Sequence, residues 1–429
     1  MRSGPWPRIP GRPLWAHFCP RGCAVGSGTA GTAFSGGPSL QSATIERTEV
    51  VPGQGLRVAC FANQFGDRQG HGLARYAREL LTALRQLDGP RITPVAGWSG
   101  LPPAALAARQ QDIGLKLTGL GRHGTSLLWT FLGRPALETC LDAPVDVVHA
   151  VSLGYPVATR KPLVVTIHDL GPLLHPEYFR NTRPWVMKRS LDQAVRQADV
   201  IACVSQYTAD TVRDYAGPAV DARLRVVLEG VSESFFSAAD PALLQRFALP
   251  PDVPFILSAG ASSPRKNLAG LLRAMAVLAD SVPHHLLLVG GAGWDDPEIA
   301  RALAAPALRN RVHGLGYVSD PELRALYQAA DLYVHPSLFE GFGLPVLEAM
   351  ASGTPVVASD RTSLPEVAGA AGCLCDAADP EALAEAILQV CRSPQRRARM
   401  AASGRRRARE FSWSHCARTM AGIYSDALS

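Results

Sequence analysis

The chain has 429 residues, 47% of them hydrophobic and 19% charged, a length that holds two cores because a single core stops growing near ~250 residues. Its net charge of +6, from 43 Lys and Arg against 37 Asp and Glu, is too weak a bias to carry nucleic-acid binding by itself, although it suits an anionic small ligand or an acidic lipid. The nine scattered Cys include Cys19–Cys23 and Cys373–Cys375 but no second pair at zinc spacing, which reads as thiols of a reducing compartment rather than metal ligands, and no stretch reaches the ~18–20 apolar residues of a membrane-spanning helix.

Residues 1–55 are rich in Gly, Pro, Ser and Thr without periodicity. They lack the compact apolar run of a signal peptide and read as a disordered or mis-started extension. Order is predicted to begin at "LRVACFANQF" (Leu56–Phe65), an apolar run of strand length. A glycine-containing loop then feeds a helix in "GDRQGHGLARYARELLTALRQL", where Leu73, Tyr76, Leu80, Leu81, Leu84 and Leu87 recur at helical spacing. Further strands are predicted at "VDVVHA" (Val145–Ala150), "PLVVTIHDL" (Pro162–Leu170), "DVIACVS" (Asp199–Ser205) and "RLRVVLEG" (Arg223–Gly230). Helical segments such as "SLDQAVRQA" and "SQYTADTVRDYA" lie between them, the second with Ser205 as its N-cap.

The segment "GVSESFFSAADPALLQRFALPPDVP", with Pro250, Pro251 and Pro254 near its end, reads as a linker, after which the alternation restarts. "PFILSAG", "HLLLVGG", "RVHGLGYV", "DLYVHPS" and "TPVVAS" are candidate strands, and "NLAGLLRAMAVLA" and "DPELRALYQAA" candidate helices. Alternating Val/Ile-rich strands and helices predict parallel sheets covered on both faces, hence an α/β chain of two doubly wound domains. Such sheets bind ligands at the carboxyl ends of their strands, so chemistry is expected in the loops there.

One such loop is "HPSLFEGFGLPVLEAMASGTPVVAS" (His335–Ser359), which sets Glu340 and Glu348 on either side of a glycine turn. Pro345 suits the first helical turn, a helix is predicted over Val346–Ser352, and Gly353 stops it. Backbone N–H groups from about Gly343 to Val346 would leave the helix N-terminus as an anion site. A carboxylate can accept from vicinal hydroxyls, so the pair suits a sugar nucleotide, with phosphates in the middle and a sugar on each side. The plainer alternative is two carboxylates that merely complement a helix N-terminus.

Other strand-end loops point to the same place. "GASSPRKNLAGLL" (Gly260–Leu272) carries Arg265 and Lys266, which would neutralise a diphosphate, with Asn267 as a cap for the next helix; a solvated basic loop is the alternative. His168 and Asp169 close the strand "VVTIHDL" at a cleft edge, unless the histidine is simply a satisfied core residue. Gly70 and Gly72 precede the first helix, either near a phosphate or in a plain turn. In "GGAGWDD" (Gly290–Asp296) the G-x-G is completed by no third glycine at the fingerprint spacing, and the stretch follows the wrong strand for a dinucleotide fingerprint. No Asp-x-Asp occurs to hold a metal-bound diphosphate, and Asp295–Asp296 are adjacent rather than spaced. Eight Arg between Arg392 and Arg409 form a solvated helical face or a membrane-surface patch, and Arg183, Lys188 and Arg189 with Trp185 are likewise either a solvated face or a lipid headgroup interface.

Together, "FEGFGLPVLEAMASGTPVVAS", "SPRKNL", "GYVSDPELRALYQAADLYVHPS", "TIHDL" and "FSWSHCARTMAGIY" resemble, in order and spacing over residues 56–427, the retaining glycosyltransferases of family 4. The resemblance implies a GT-B fold, two Rossmann-like domains facing across a cleft: an acceptor-side domain over 56–235, a donor domain over 236–410, and a last helix, 411–429, crossing back to the first. It implies that Glu348 binds the ribose and Glu340 the donor sugar, with the N–H groups of Phe342, Gly343 and Leu344 near sugar or phosphate. Lys266 and Arg265 would hold the diphosphate, Tyr317 and Val318 flank the base, and Gly72 and His168 belong to the first-domain wall. Where many members carry a cation before the lysine, this sequence has Gly260, so neutralisation would rest on Arg265 and Lys266.

The expected function is metal-independent hexosyl transfer, best matched to mannose from GDP-mannose, onto a glycan or lipid-linked acceptor in cell-surface polysaccharide synthesis. The expected location is the cytoplasm, peripheral on the membrane's inner face, with no resident cofactor and no nucleic-acid partner. A non-catalytic glycan- or partner-binding relative would be expected to have lost one Glu or the Lys, and a sugar-nucleotide epimerase of this fold would lack the Glu pair together with the crossing tail.

Overall fold

The computed structural model describes residues 55–67, 72–154, 156–179, 184–247, 249, 253–260, 263–290 and 296–429. The extension before Gly55, Gly70, Arg183, Pro250, Pro251 and Gly291–Asp295 lie outside them. Thirteen strands among the described residues form two sheets. The first takes β1 (Arg57–Phe61), β2 (Arg91–Ala96), β3 (Lys116–Leu117), β4 (Val147–Ala150), β5 (Leu163–Ile167), β6 (Val200–Cys203) and β7 (Leu224–Val226) in the order β3-β2-β1-β4-β5-β6-β7. The second takes β8 (Phe255–Ala259), β9 (His285–Val289), β10 (Val312–Gly316), β11 (Leu332–His335), β12 (Val356–Ser359) and β13 (Cys373–Cys375) in the order β10-β9-β8-β11-β12-β13.

All pairings in both sheets are parallel, and helices join the strands, as the βα alternation predicts. β4, β5, β6, β11 and β12 are buried along their whole length, which fits their Val-, Ile- and Leu-rich rather than alternating sequences. Strand order reverses between β1 and β4 in one sheet and between β8 and β11 in the other. Loops diverge at such switch points and open a crevice beyond the strand ends. In the second sheet, the two loops at the switch are those that carry Arg265–Lys266 and Glu340.

Local chemistry moved some boundaries. The run from Leu56 leaves the sheet at Phe61, where a 3-10 turn, Asn63–Gly66, takes over. β2, β3 and β13 were not anticipated: Pro94 interrupts the apolar pattern of β2, and the other two are two and three residues long. The linker contains two 3-10 turns, Glu233–Phe236 and Pro241–Phe247.

The last helix, Trp413–Asp426, crosses back as expected and packs on the first, Gly72–Arg85. Val231 N–H donates to Phe411 O at 3.2 Å where the returning chain meets the first domain. Inside, Tyr424 OH lies 2.9 Å from His149 Nδ1, whose Nε2 lies 2.8 Å from Thr166 Oγ1. One continuous core cluster runs from Tyr76, Leu80 and Leu84 through Trp413 and Tyr424 to Tyr327, Tyr333 and Leu347, so both sheets share it.

Candidate active site

Glu340 lies in the loop after β11, at the second sheet's switch point. Only 8% of it is exposed, and each carboxylate oxygen has a cation. Lys266 Nζ lies 2.5 Å from Oε1 and Arg265 Nη1 2.7 Å from Oε2, with His335 Nε2 3.2 Å from Oε1. Burial alone would push this carboxyl up, but Arg265 and Lys266 outweigh burial and hold it well below the usual range. Burial lowers the Lys266 ammonium, helped by Arg265, and burial lowers the His335 ring, helped by Lys266. Leu338 N–H donates to Arg265 O at 2.7 Å and Thr362 Oγ1 accepts from Glu340 N–H at 3.1 Å, so both loops are fixed by their backbones.

The glycine turn is set by close approach. A Cβ on Gly341 would stand 1.9 Å from His168 O, and Gly341 O accepts from Ser205 Oγ at 2.7 Å, so the turn lies directly on the first domain. Gly343 has φ +120°, which disfavours any side chain, and it begins the helix Leu344–Ala351 with Pro345 in its first turn. That helix starts two residues earlier than the pattern indicates. Of the N–H groups expected to point outward, Pro345 has none and Val346 donates to Gly343 O at 2.9 Å. The anion-facing candidates are therefore those of Phe342, Gly343 and Leu344.

Glu348 is 3% exposed in the second turn of that helix. Its Oε1 accepts from Arg75 of the first domain, which also bonds Asp320, and Tyr327 OH lies 3.4 Å from its Oε2. Burial raises the Glu348 carboxyl despite Arg75. Burial would lower the Arg75 guanidinium, yet Glu348 and Asp320 keep it above its ordinary value. Glu340 is thus held by two cations and Glu348 by one from the first domain, contacts that a helix-start charge pattern alone does not need.

On the first-domain wall, His168 follows β5, with Nε2 3.0 Å from Val151 O, Nδ1 3.3 Å from Glu229, and its ring edge-on to Tyr76 at 4.5 Å. Asp169 accepts from Gly171 N–H at 2.8 Å and is pushed up by burial. Gly72 is exposed at the start of its helix, and it is Arg75, one turn on, that reaches the second domain. Val318 is packed in the core, whereas Tyr317 is 66% exposed, its carbonyl accepting from Arg246 at 3.3 Å. Asn267 does not cap as expected: it takes a left-handed φ of 52° and donates instead to Ala377 O at 2.6 Å. A Cβ on Gly260 would stand 3.2 Å from Lys266 Cε, so the glycine lets the lysine stem lie close against the backbone.

The profile of the family Glycosyl transferases group 1 matches residues 240–407, and that of Glycosyltransferase Family 4 matches residues 70–235. The chain belongs to these glycosyltransferases. It is 36% identical to the O-antigen chain mannosyltransferase B of Escherichia coli, over 59% of this chain and 67% of that one. It is 34% identical to a D-inositol 3-phosphate glycosyltransferase of Xylanimonas cellulosilytica, over 66% and 72%. Against the serotype-specific mannosyltransferase WbdA of Escherichia coli it is 34% identical over 48% of its own length but spans only 26% of that longer chain. The fold matches the Anabaena protein HepE, whose structure is in complex with UDP and glucose, with a TM-score of 0.67 at 21% identity, covering 85% of this chain and 98% of that one.

Several residues that contact the predicted site residues escape a reading of the sequence. Arg75 and Tyr327 touch Glu348, Glu229 touches His168, and His335, Thr362 and Ser363 touch Glu340, with Ser363 Oγ donating to Glu340 O and Phe342 O at 3.0 and 2.7 Å. His335 carries the same signal as His168, a histidine closing an apolar strand. Among the described residues, no group of three or more His, Cys, Asp or Glu is arranged to hold a metal ion, and no helix is long and apolar enough to cross a membrane. Of the basic run, Arg397, Arg405 and Arg407 donate to backbone carbonyls, Arg396 to Gln389, and Arg409 stacks over Phe236, so most of that face is spent on the protein itself. The other basic stretch differs. Trp185 and Phe131 are 52% and 56% exposed, 6.0 Å apart, with Arg189 5.7 Å over the Phe131 ring.

Proposed function

We propose that this glycosyltransferase moves a mannosyl group from GDP-mannose, with retention and without a metal ion, onto a glycan or lipid-linked glycan in cell-surface polysaccharide synthesis. The observation that carries the chemistry is the Glu340–Lys266–Arg265 cluster at the switch point, with the helix N-terminus beside it and Glu348 in the same cleft. The mannosyltransferase names of the O-antigen and serotype-specific relatives support the sugar and the product class.

In this reading Glu348 accepts from the ribose hydroxyls, and the diphosphate lies between Lys266, Arg265 and the Phe342–Leu344 N–H groups. As the C1–O bond to phosphate breaks, negative charge grows on the diphosphate and positive character on the sugar. Fixed cations and helix-end dipoles stabilise the first without reorganising. Glu340, an acceptor-only carboxylate, orients the donor sugar's hydroxyls. The acceptor oxygen attacks the face the leaving group departs from, and its proton passes to the leaving phosphate oxygen, so charge and atoms balance. His168, with both ring nitrogens facing protein oxygens, shapes the wall. Val318 and Tyr317 supply the base side, and Gly72 places Arg75.

The acceptor side is assigned to residues 56–235 with the crossing segment 411–429, and the donor side to 236–410. The exposed Trp185–Phe131–Arg189 patch supports a peripheral contact with acidic lipid on the cytoplasmic face, an apolar body with a cationic rim. A thermal-shift screen against GDP-mannose, GDP, UDP-glucose and UDP tests the donor. Ligand at 100 times its Kd adds about 2.7 kcal/mol of stability. Stabilisation by GDP-mannose above UDP-glucose is the expected result; stabilisation only by uridine nucleotides overturns the donor, and none by any nucleotide overturns the function.

A further inference from the structure

Arg75 stands out because it comes from the first domain yet ends on the second. It occupies the first turn of the helix Gly72–Arg85, and its fork bonds Glu348 with Nη1 and Asp320 with Nη2. The guanidinium carbon lies 5.8 Å from the Phe235 ring centroid, and Phe235 stacks edge-on to Tyr327 at 6.1 Å. The Arg75 side chain is 16% exposed and that of Glu348 3%, whereas Asp320 is 55% exposed. Asp320 is thus a surface anchor, and Glu348 is the buried end of the bridge.

Glu348 has two oxygens to offer. Oε2 faces the Tyr327 hydroxyl at 3.4 Å, and Oε1 is taken by Arg75. A ribose diol gripped by this carboxylate would donate from two neighbouring hydroxyls, one to each oxygen. With Tyr327 at Oε2, Arg75 on Oε1 and only 3% of the side chain exposed, the guanidinium and the diol crowd the same end of the carboxylate. We propose that Arg75 is a positioning residue that competes with the donor's ribose for Glu348, so that nucleotide entry must break the Arg75–Glu348 bond and thereby loosen one bridge between the domains.

The inference rests on Glu348 being the ribose ligand. Arg75 keeps the carboxylate oriented and charge-compensated within its buried setting. Once displaced, its guanidinium retains Asp320 at the cleft rim. The competition sets donor affinity and couples it to the separation of the two walls.

The test is isothermal titration of the full chain at pH 8 with GDP and with UDP, for wild type, Arg75→Met, Arg75→Lys and Glu348→Gln. Arg75→Met removes the competitor while keeping an apolar stem, and the nucleotide that binds wild type is expected to bind about 2- to 5-fold tighter, the scale of a part-exposed ion pair. Arg75→Lys keeps the charge without the fork and is expected to lie between. A merely structural loss would not tighten binding. Weaker or unchanged affinity in Arg75→Met overturns the proposal, because Arg75 would then be a nucleotide ligand or a bystander. Glu348→Gln separates the two failures. If it weakens binding while Arg75→Met does not tighten it, only the competition is wrong; if Glu348→Gln leaves binding unchanged, the ribose assignment itself is wrong. Should Arg75→Met fail to fold, Arg75→Lys alone carries the same sign of change and the same refutation.

Discussion

Replacing Lys266 by Met keeps the side chain's length and removes its charge. Its Nζ sits 2.5 Å from Glu340 Oε1 in a position only 15% exposed. A phosphate oxygen drawn into that shell would stand about 4 Å from the ammonium, where one unit charge is worth about 4 kcal/mol at an effective dielectric constant near 20. Only the part that grows as the sugar–phosphate bond breaks lowers the barrier. For a single fixed donor that part is about 2.7–4 kcal/mol, so kcat is expected to fall about 10²- to 10³-fold. The fold should survive, because Arg265 remains 2.7 Å from the other Glu340 oxygen. The assay is release of nucleoside diphosphate from the donor at saturation, with circular dichroism and melting temperature as controls. A natively folded variant whose kcat stays within about threefold of wild type would refute the role, since so little loss is under 1 kcal/mol.

Three further outcomes are expected. Gly341→Ala would drive a methyl to 1.9 Å from His168 O, so the turn or the wall must shift; a loss of about 1–3 kcal/mol, read as slower turnover or a lower melting temperature, is expected, and wild-type behaviour in both would contradict the close approach. Burial depresses His149 from 6.5 to about 3, so its contribution to stability is complete above about 6.5 and is lost as pH falls from there towards 3, because the unfolded chain binds a proton the native chain refuses. Denaturant midpoints from pH 7 to pH 4 should fall more steeply in wild type than in His149→Gln, and parallel slopes would sink the assignment. Turnover is expected to survive EDTA, and complete loss that Mg²⁺ restores would show that fixed cations do not suffice.

How much of this was legible depended on the distance over which each fact is encoded. The Glu340–Glu348 stretch announced itself because turn, proline and helix are consecutive, and strand order then placed it at a switch point. Arg265 and Lys266 were visible as cations at a strand end, although nothing local said that Glu340 would hold both. Arg75 was invisible because its partner lies 273 residues away, and an arginine in a helix's first turn looks like any surface charge. β2 hid behind Pro94, and Asn267 looked like a cap until its left-handed backbone turned the side chain to Ala377. The basic run around Arg405 gave its charge but not its destination, since carbonyls such as Phe236 O belong to the linker.

The returning helix makes chain order matter during synthesis. The first sheet is complete in sequence at Val226, yet Tyr76 rests 5.7 Å from Trp413, and Tyr424 closes on His149. Some 187 residues (413 − 226) must leave the ribosome in between, which at about 5–20 residues per second takes roughly 10–40 s. Throughout that interval the nascent first sheet carries an uncovered apolar seam along Gly72–Arg85. A ribosome stalled after the second sheet would therefore release not one finished domain and one missing helix, but a chain whose earliest-made part is still sticky and in need of a chaperone.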